Sequence, residues 1–298
     1  MNARSGYIAL LVVMGTGWGA TQPLGKMAVS TGYKQFGLTF WQLVIGAVMT
    51  GAVLLARGQR VPINRPTLTF AFVLAMIGTV VPNSTFYYSV AHLPAGIMSI
   101  LISTVPLMAF PVAMALGMDR FSLPRLAGLL CGFVGVALIA LPSTSLPDAA
   151  MFAYLPIAMV GPFFYAFEGN YVAKFGTAGM DAVQAMFLAS TLGAVIILPV
   201  VWWSGQWINP ILPWGQAEIA LVLESVVHTI CYCAYVWLAA RAGAVFTAQT
   251  SYVVTGTGVI WAMVLLGERF SPWVWAALCV MLLGLFLVQP RDHAAKAA

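Results

Sequence analysis

Residues 38–56, LTFWQLVIGAVMTGAVLLA, run for nineteen positions without a charged side chain. About 20 apolar residues in a helix rising 1.5 Å each cross the roughly 30 Å hydrocarbon core of a bilayer. A strand of a membrane barrel would instead show about ten residues of alternating polarity. The run is continuous, so it reads as a transmembrane helix.

Outward from this segment, runs of the same kind cover 6–27, 37–56, 67–90, 94–116, 123–142, 150–173, 182–203, 216–239, 243–266 and 272–289. Composition agrees with ten spans: of 298 residues, 61% are hydrophobic and 7% charged, where a soluble domain carries about 25% charge. Too few polar side chains exist to cover a water-facing globule, which excludes a soluble enzyme. The connections are too short for an extramembrane domain. Near the N-terminus, Arg4 precedes an apolar run that reaches Trp18-Gly19 without an A-x-A-like cleavage site, so an uncleaved first span is expected.

The net charge is +5, but the 13 Lys and Arg are scattered near the ends of apolar runs and form no basic face, so no nucleic-acid partner is expected. With ten spans both termini share a side. Placing that side in the cytoplasm puts Arg4, Arg57, Arg60, Arg65, Arg120, Arg125, Lys174, Arg241, Arg291 and Lys296 inside. Only Lys26, Lys34 and Arg269 then lie outside, a strong positive-inside bias. Trp202, Trp203, Trp207, Trp214, Trp273 and Trp275 fall on the outer side, where indoles anchor at headgroup level. Cys131, Cys231, Cys233 and Cys279 lie in apolar runs without CxxC spacing, so no disulfide framework, metal site or cofactor is indicated.

An offset of 149 residues, half the chain, aligns Asp119-Arg120-Phe121-Ser122 with Glu268-Arg269-Phe270-Ser271. In the same register Ala91 meets Ala240, Ala95 meets Ala244, Val105 meets Val254, Gly135 meets Gly284 and Leu138 meets Leu287. Two units, 1–145 and 146–298, therefore hold five spans each. An odd number of spans inserts the second unit upside down, the plan of many secondary transporters. The expected fold is all-α, with ten transmembrane helices as two inverted repeats around a central cavity.

Trp18-Gly19 with Pro23 in the first span, His92-Leu93-Pro94-Ala95-Gly96 opening the fourth and Leu266-Gly267-Glu268-Arg269 closing the ninth resemble the patterns of EamA-type members of the drug/metabolite transporter superfamily. Within it the chain is most similar to the bacterial aromatic-amino-acid exporter branch. The resemblance implies a multi-pass protein of the bacterial inner membrane, a cavity lined by spans 1, 3, 4, 6, 8 and 9, and peripheral support from spans 5 and 10. Two departures stand out: Met118-Asp119-Arg120 replaces Gly267-Glu268-Arg269 in the first half, and Trp41 sits where a basic residue is expected.

An ionisable side chain in a span costs at least about 2.5–3.5 kcal/mol on insertion scales, so it normally faces the bundle interior. Glu168, Glu224 and His228 are such residues. Glu224 and His228 are four apart, hence on one helical face, and His228 falls near the bilayer midplane. The pair can bind a substrate amino group, relay protons, or only tie helices together. Glu168, with Asn170 close by, can hold a cationic group near the inner gate or reach interfacial water. Trp18, Tyr87, Tyr88, Ser99, Ser103, Tyr165, Tyr232, Gln249 and Tyr252 complete an amphipathic lining suited to an apolar side chain with a zwitterionic head.

Prolines inside spans remove backbone hydrogen bonds, and Pro23, Pro82, Pro106 and Pro162 are the expected hinges, with Pro111 and Pro156 as further kinks. Gly15-Thr16-Gly17-Trp18-Gly19 is no nucleotide loop and no Walker motif occurs, so ATP is not the direct energy source. The reading is a secondary transporter, not an enzyme, exporting amino acids or similar small metabolites as monomer or homodimer, with protons a candidate coupling ion. A lipophilic-cation exporter is the nearest rival. An intramembrane acid–base enzyme built on Glu224 and His228 is more remote, since neither nucleophile nor metal is in evidence.

Overall fold

The computed structural model describes residues 3–141, 146–211, 213–242, 247 and 249–288. Arg291 and Lys296, and residues 243–246 of the ninth expected span, lie outside the described residues. Among the described residues there are helices and no strands. The helical segments are α1 (Ala3–Ala28), α2 (Gln35–Ala56), α3 (Arg65–His92), α4 (Ala95–Ala115), α5 (Leu123–Ala140), α6 (Ala149–Phe175), α7 (Ala182–Trp203), α8 (Gln216–Ala242), α9 (Thr250–Leu266) and α10 (Pro272–Val288).

Seven of these, α2 to α8, are long and apolar enough to cross a membrane by length and composition. The sequence suggested ten such runs. The difference is partly one of length: α9 and α10 have 17 residues each, against 26 in α1.

Local chemistry sets where helices start and break. Asn64 and Thr67 form a reciprocal capping box at the head of α3, and Asp181 and Gln184 do the same for α7; each pair satisfies amides that a helix start leaves without partners. Within α3, residues Ala75–Val80 form a π-helical turn, and the Val81 amide reaches back to the Met76 carbonyl. Pro82 is the cause: it has no N–H for the Gly78 carbonyl and its ring crowds that oxygen, so the ladder widens.

Pro106 acts likewise on α4, which is interrupted at Ser103. The Ser103 and Thr104 hydroxyls donate to the Ile100 and Leu101 carbonyls, both at 2.6 Å. Pro162 interrupts α6 at Met159. Pro23 leaves α1 continuous, so of the four expected hinges three coincide with a break or widened turn and one does not.

α1 packs against α8 and α9, and α6 packs against α3 and α4. α2 lies along α7, α4 meets α9, and α5 pairs with α10. The last pair is the most intimate. A Cβ built at Gly128 would stand 2.7 Å from the Gly284 carbonyl oxygen, and one at Gly284 would stand 2.8 Å from that of Gly128. Glycine there lets the backbones touch.

Candidate functional site

A cavity of about 430 Å³ lies among the helices, lined from α1, α2, α3, α4, α6, α7, α8 and α9. The six spans expected to line it all contribute, and none of the lining comes from α5 or α10. Gln42 on α2 and Met186 and Ala189 on α7 are additions, present because α2 packs on α8 and α7 on α3.

Trp18, Tyr165, Glu168, Glu224, His228 and Tyr232 face this cavity, as do Pro82 and Pro162. Glu224 and His228 do not bond each other, contrary to the pairing that their spacing suggested; each is held from another helix. Glu224 is 2% exposed. Its Oε2 accepts the Tyr87 hydroxyl and its Oε1 accepts Gln42 Nε2 at 3.3 Å. His228 Nδ1 accepts the Trp18 indole N–H at 3.2 Å, with the two rings edge-on at 6.0 Å. An indole N–H only donates, so the neutral imidazole carries its proton on Nε2 and presents a donor.

Glu168 is half-buried, and its Oε1 accepts the Tyr232 hydroxyl at 3.4 Å. It stands over Gly78, in the π-helical turn, where a Cβ would lie 2.7 Å from Oε1. The missing side chain makes room for the carboxylate. Tyr165 donates to Asn83 Oδ1 at 3.0 Å, and Trp18 meets Tyr235 edge-on at 5.6 Å. No Lys or Arg lines the cavity among the described residues.

The remaining residues of the expected lining stand elsewhere. Tyr87 sits behind Glu224, 1% exposed. Tyr88 packs with His92 and Tyr154 in an aromatic cluster. Ser99 is fully buried, donates to the Ala95 carbonyl at 3.1 Å and fills the space beside Gly258. Ser103 is spent on the α4 break that Pro106 causes. Gln249 is an exposed turn residue before α9, and Tyr252, half-buried on α9, is also outside the lining. Short hydroxyls in helices bond their own preceding turn, which removes both serines from the cavity. Gln22, Gln42, Asn83 and Tyr235 were not singled out from sequence, yet line it. Amides within apolar runs are the signal that would have found the first three.

The lining reaches Ala173 near the end of α6, Val236 near the end of α8 and Thr250 at the start of α9. At the other end of the bundle, hydrogen bonds tie the helix ends together. There Glu268 Oε1 and Oε2 accept the Ala95 and Gly96 amides at 2.7 and 3.0 Å, and Lys26 Nζ donates to the Ala91 and Leu93 carbonyls at 3.2 and 3.0 Å. An anion on the head of α4 and a cation on the tail of α3 complement both helix dipoles. Tyr33 donates to Glu218, and that bond, aided by burial and the carboxylate's charge, raises the phenol above its usual range. Asp119, aligned with Glu268 by the 149-residue offset, instead pairs locally with Arg125. Trp41, the second departure, donates to the Ile208 carbonyl at 3.0 Å and packs on Phe40 and Trp207.

The chain is 24% identical over 302 residues to "Uncharacterized transporter YvbV" of Bacillus subtilis (strain 168), covering 98% of this chain and 93% of that one. A protein of known crystal structure superposes with a TM-score of 0.61 at 16% identity, over 93% of this chain and 94% of that one, which places the two in the same fold. The sequence pattern of the EamA-like transporter family matches twice, at residues 5–141 and 152–289. A chain whose described residues form helices without strands, with apolar segments of spanning length lining a cavity, and matched along nearly all of its length, belongs to the EamA-like transporter family and is a membrane transporter of a small molecule.

Proposed function

We propose that the chain is a secondary transporter exporting amino acids, aromatic and other neutral ones, or related small metabolites across the bacterial cytoplasmic membrane by alternating access. The observation that carries this reading is the cavity: about 430 Å³, with aromatic walls, the Glu168 carboxylate and a histidine. Such a surface replaces water around an apolar side chain by stacking and around a polar head by a few directed bonds. Ten spans as two inverted repeats, 1–145 and 146–298, complete the proposal.

The helix contacts support those repeats. Exchanging the first five helices for the last five turns the contacts of α1 with α8 and α9 into those of α6 with α3 and α4. It leaves α2–α7, α4–α9 and α5–α10 unchanged. A pseudo-two-fold axis has this property, and it allows one end to close as the other opens. Under the positive-inside bias the end with Ala173, Val236 and Thr250 faces the cytoplasm, with both termini on that side.

Proteoliposomes test the reading. Labelled phenylalanine, threonine and methionine are expected to enter saturably relative to empty vesicles. Accumulation that follows an imposed pH gradient establishes proton coupling; equilibration without response to it establishes a facilitator. A second reading, export of lipophilic cations, is favoured by the Glu168 carboxylate and by a lining without Lys or Arg among the described residues. Tetraphenylphosphonium uptake with no amino-acid uptake establishes it and overturns the first.

A further inference from the structure

We propose that Glu168 receives the substrate's ammonium group, that His228 donates to its carboxylate, and that Glu224 binds neither. The proposal rests on the transport reading for the occupant being a small amine or amino acid.

Both carboxylates line one cavity, but their bonding is unequal. Glu224 has a donor on each oxygen, Gln42 Nε2 on Oε1 and the Tyr87 hydroxyl on Oε2. A group buried to 2% exposure and bonded on both sides has little left to offer a ligand. Glu168 has a single bond, from Tyr232 at 3.4 Å, and its Oε2 has no partner among the described residues. A carboxylate offers about four acceptor positions, so most of its capacity faces the cavity.

The surroundings select the sign of the ligand. No Lys or Arg lines the cavity among the described residues, so Glu168 has no protein counter-ion there. Tyr165, Tyr232 and Tyr235 line the same space, and aromatic faces attract cations through the ring quadrupole. The side-chain oxygens of Gln22 and Gln42 add acceptors without a hydrogen-bond partner among the described residues. An ammonium group, with three donors and one charge, answers this set; an anion does not.

The carboxylate end follows from α8. His228 turns Nε2–H away from its bond with Trp18, and Tyr232, which holds Glu168, follows one turn later on the same face. Donor and acceptor sites about 6 Å apart along the helix suit a molecule that carries ammonium and carboxylate on one carbon.

The full-length chain in detergent, titrated calorimetrically with L-phenylalanine, phenethylamine and 3-phenylpropionate, tests this. Wild type is expected to bind the first two and not the third. Glu168→Gln is expected to weaken both by about tenfold or more, and His228→Leu to weaken phenylalanine alone. Glu224→Gln is expected to leave affinity within about threefold. Should that variant not fold, Tyr87→Phe, which removes one Glu224 donor, takes its place. Affinity unchanged in Glu168→Gln, lost in a monodisperse Glu224→Gln or Tyr87→Phe, or equal for 3-phenylpropionate overturns the proposal. Phenethylamine bound through Glu168 with phenylalanine unbound overturns the amino-acid reading and leaves the ammonium site standing; phenylalanine bound as well by Glu168→Gln does the reverse. No binding by any probe overturns both.

Discussion

At the scale of single residues, the cavity is built from groups that hydrocarbon disfavours. Tyr87→Phe removes a buried donor from Glu224 while keeping the ring. Leaving a buried acceptor short costs about 1–3 kcal/mol, so a lower denaturation temperature in detergent is expected, with helicity retained. No fall in that temperature would show that water replaces the phenol. Gly78→Ala behaves differently. The new methyl would lie 2.7 Å from Glu168 Oε1, and the flexible carboxylate must swing aside. Little stability is lost, but substrate affinity is expected to drop several-fold by calorimetry, whereas Gly256→Ala, outside the lining and with nothing within 4 Å of its Cβ, leaves it unchanged. Glu168, Glu224 and His228 were legible in the sequence because an ionisable group in an apolar run is costly wherever it points. Gln22, Gln42 and Asn83 were missed, though the same reasoning extended to amides would have found them. Ser99, Ser103 and Gln249 were misplaced because polarity alone does not say whether a side chain bonds its own backbone or faces a cavity.

Among elements, the α5–α10 pair and the α3–α4 corner carry separate tasks. Gly284→Val would drive a branched side chain into the Gly128 carbonyl and prise α10 from α5. A loss of about 1–3 kcal/mol is expected from such overpacking, read as a lower melting temperature. Ligand affinity in the folded fraction is expected to hold, because neither helix lines the cavity. The corner between α3 and α4 is held by charge. Glu268→Gln keeps one acceptor for the Ala95 and Gly96 amides but removes the anion from the head of α4. Hydrogen bonds to a charged group contribute about 1.5–3 kcal/mol, so faster amide exchange at residues 95–99 is expected, with residues on α5 unaffected. Boundaries of helices were largely legible because cap residues and prolines act locally: α7 starts and ends where the apolar run does. The breaks at Ser103 and Met159 follow from Pro106 and Pro162, while Pro23 shows that proline in a helix does not always interrupt it.

For the whole molecule, the cavity lining reaches the end formed by Ala173, Val236 and Thr250, and the helix ends near Lys26 and Glu268 are tied together by hydrogen bonds. In right-side-out vesicles, a cysteine at Ala173 is expected to react with a membrane-impermeant maleimide only after the vesicles are opened, above the background of the four native cysteines. Reaction from the outside in intact vesicles would reverse the orientation. The sequence by itself determined that the chain is helical and membrane-embedded and which groups are too costly to face lipid, because hydropathy and capping are properties of consecutive residues. It also carried the family resemblance. Tertiary structure decided the partners. Glu224 takes Tyr87 and Gln42, 137 and 182 residues away, and His228 takes Trp18, 210 residues away. Helical spacing puts two side chains on one face; the helices packed against that face decide what each one bonds.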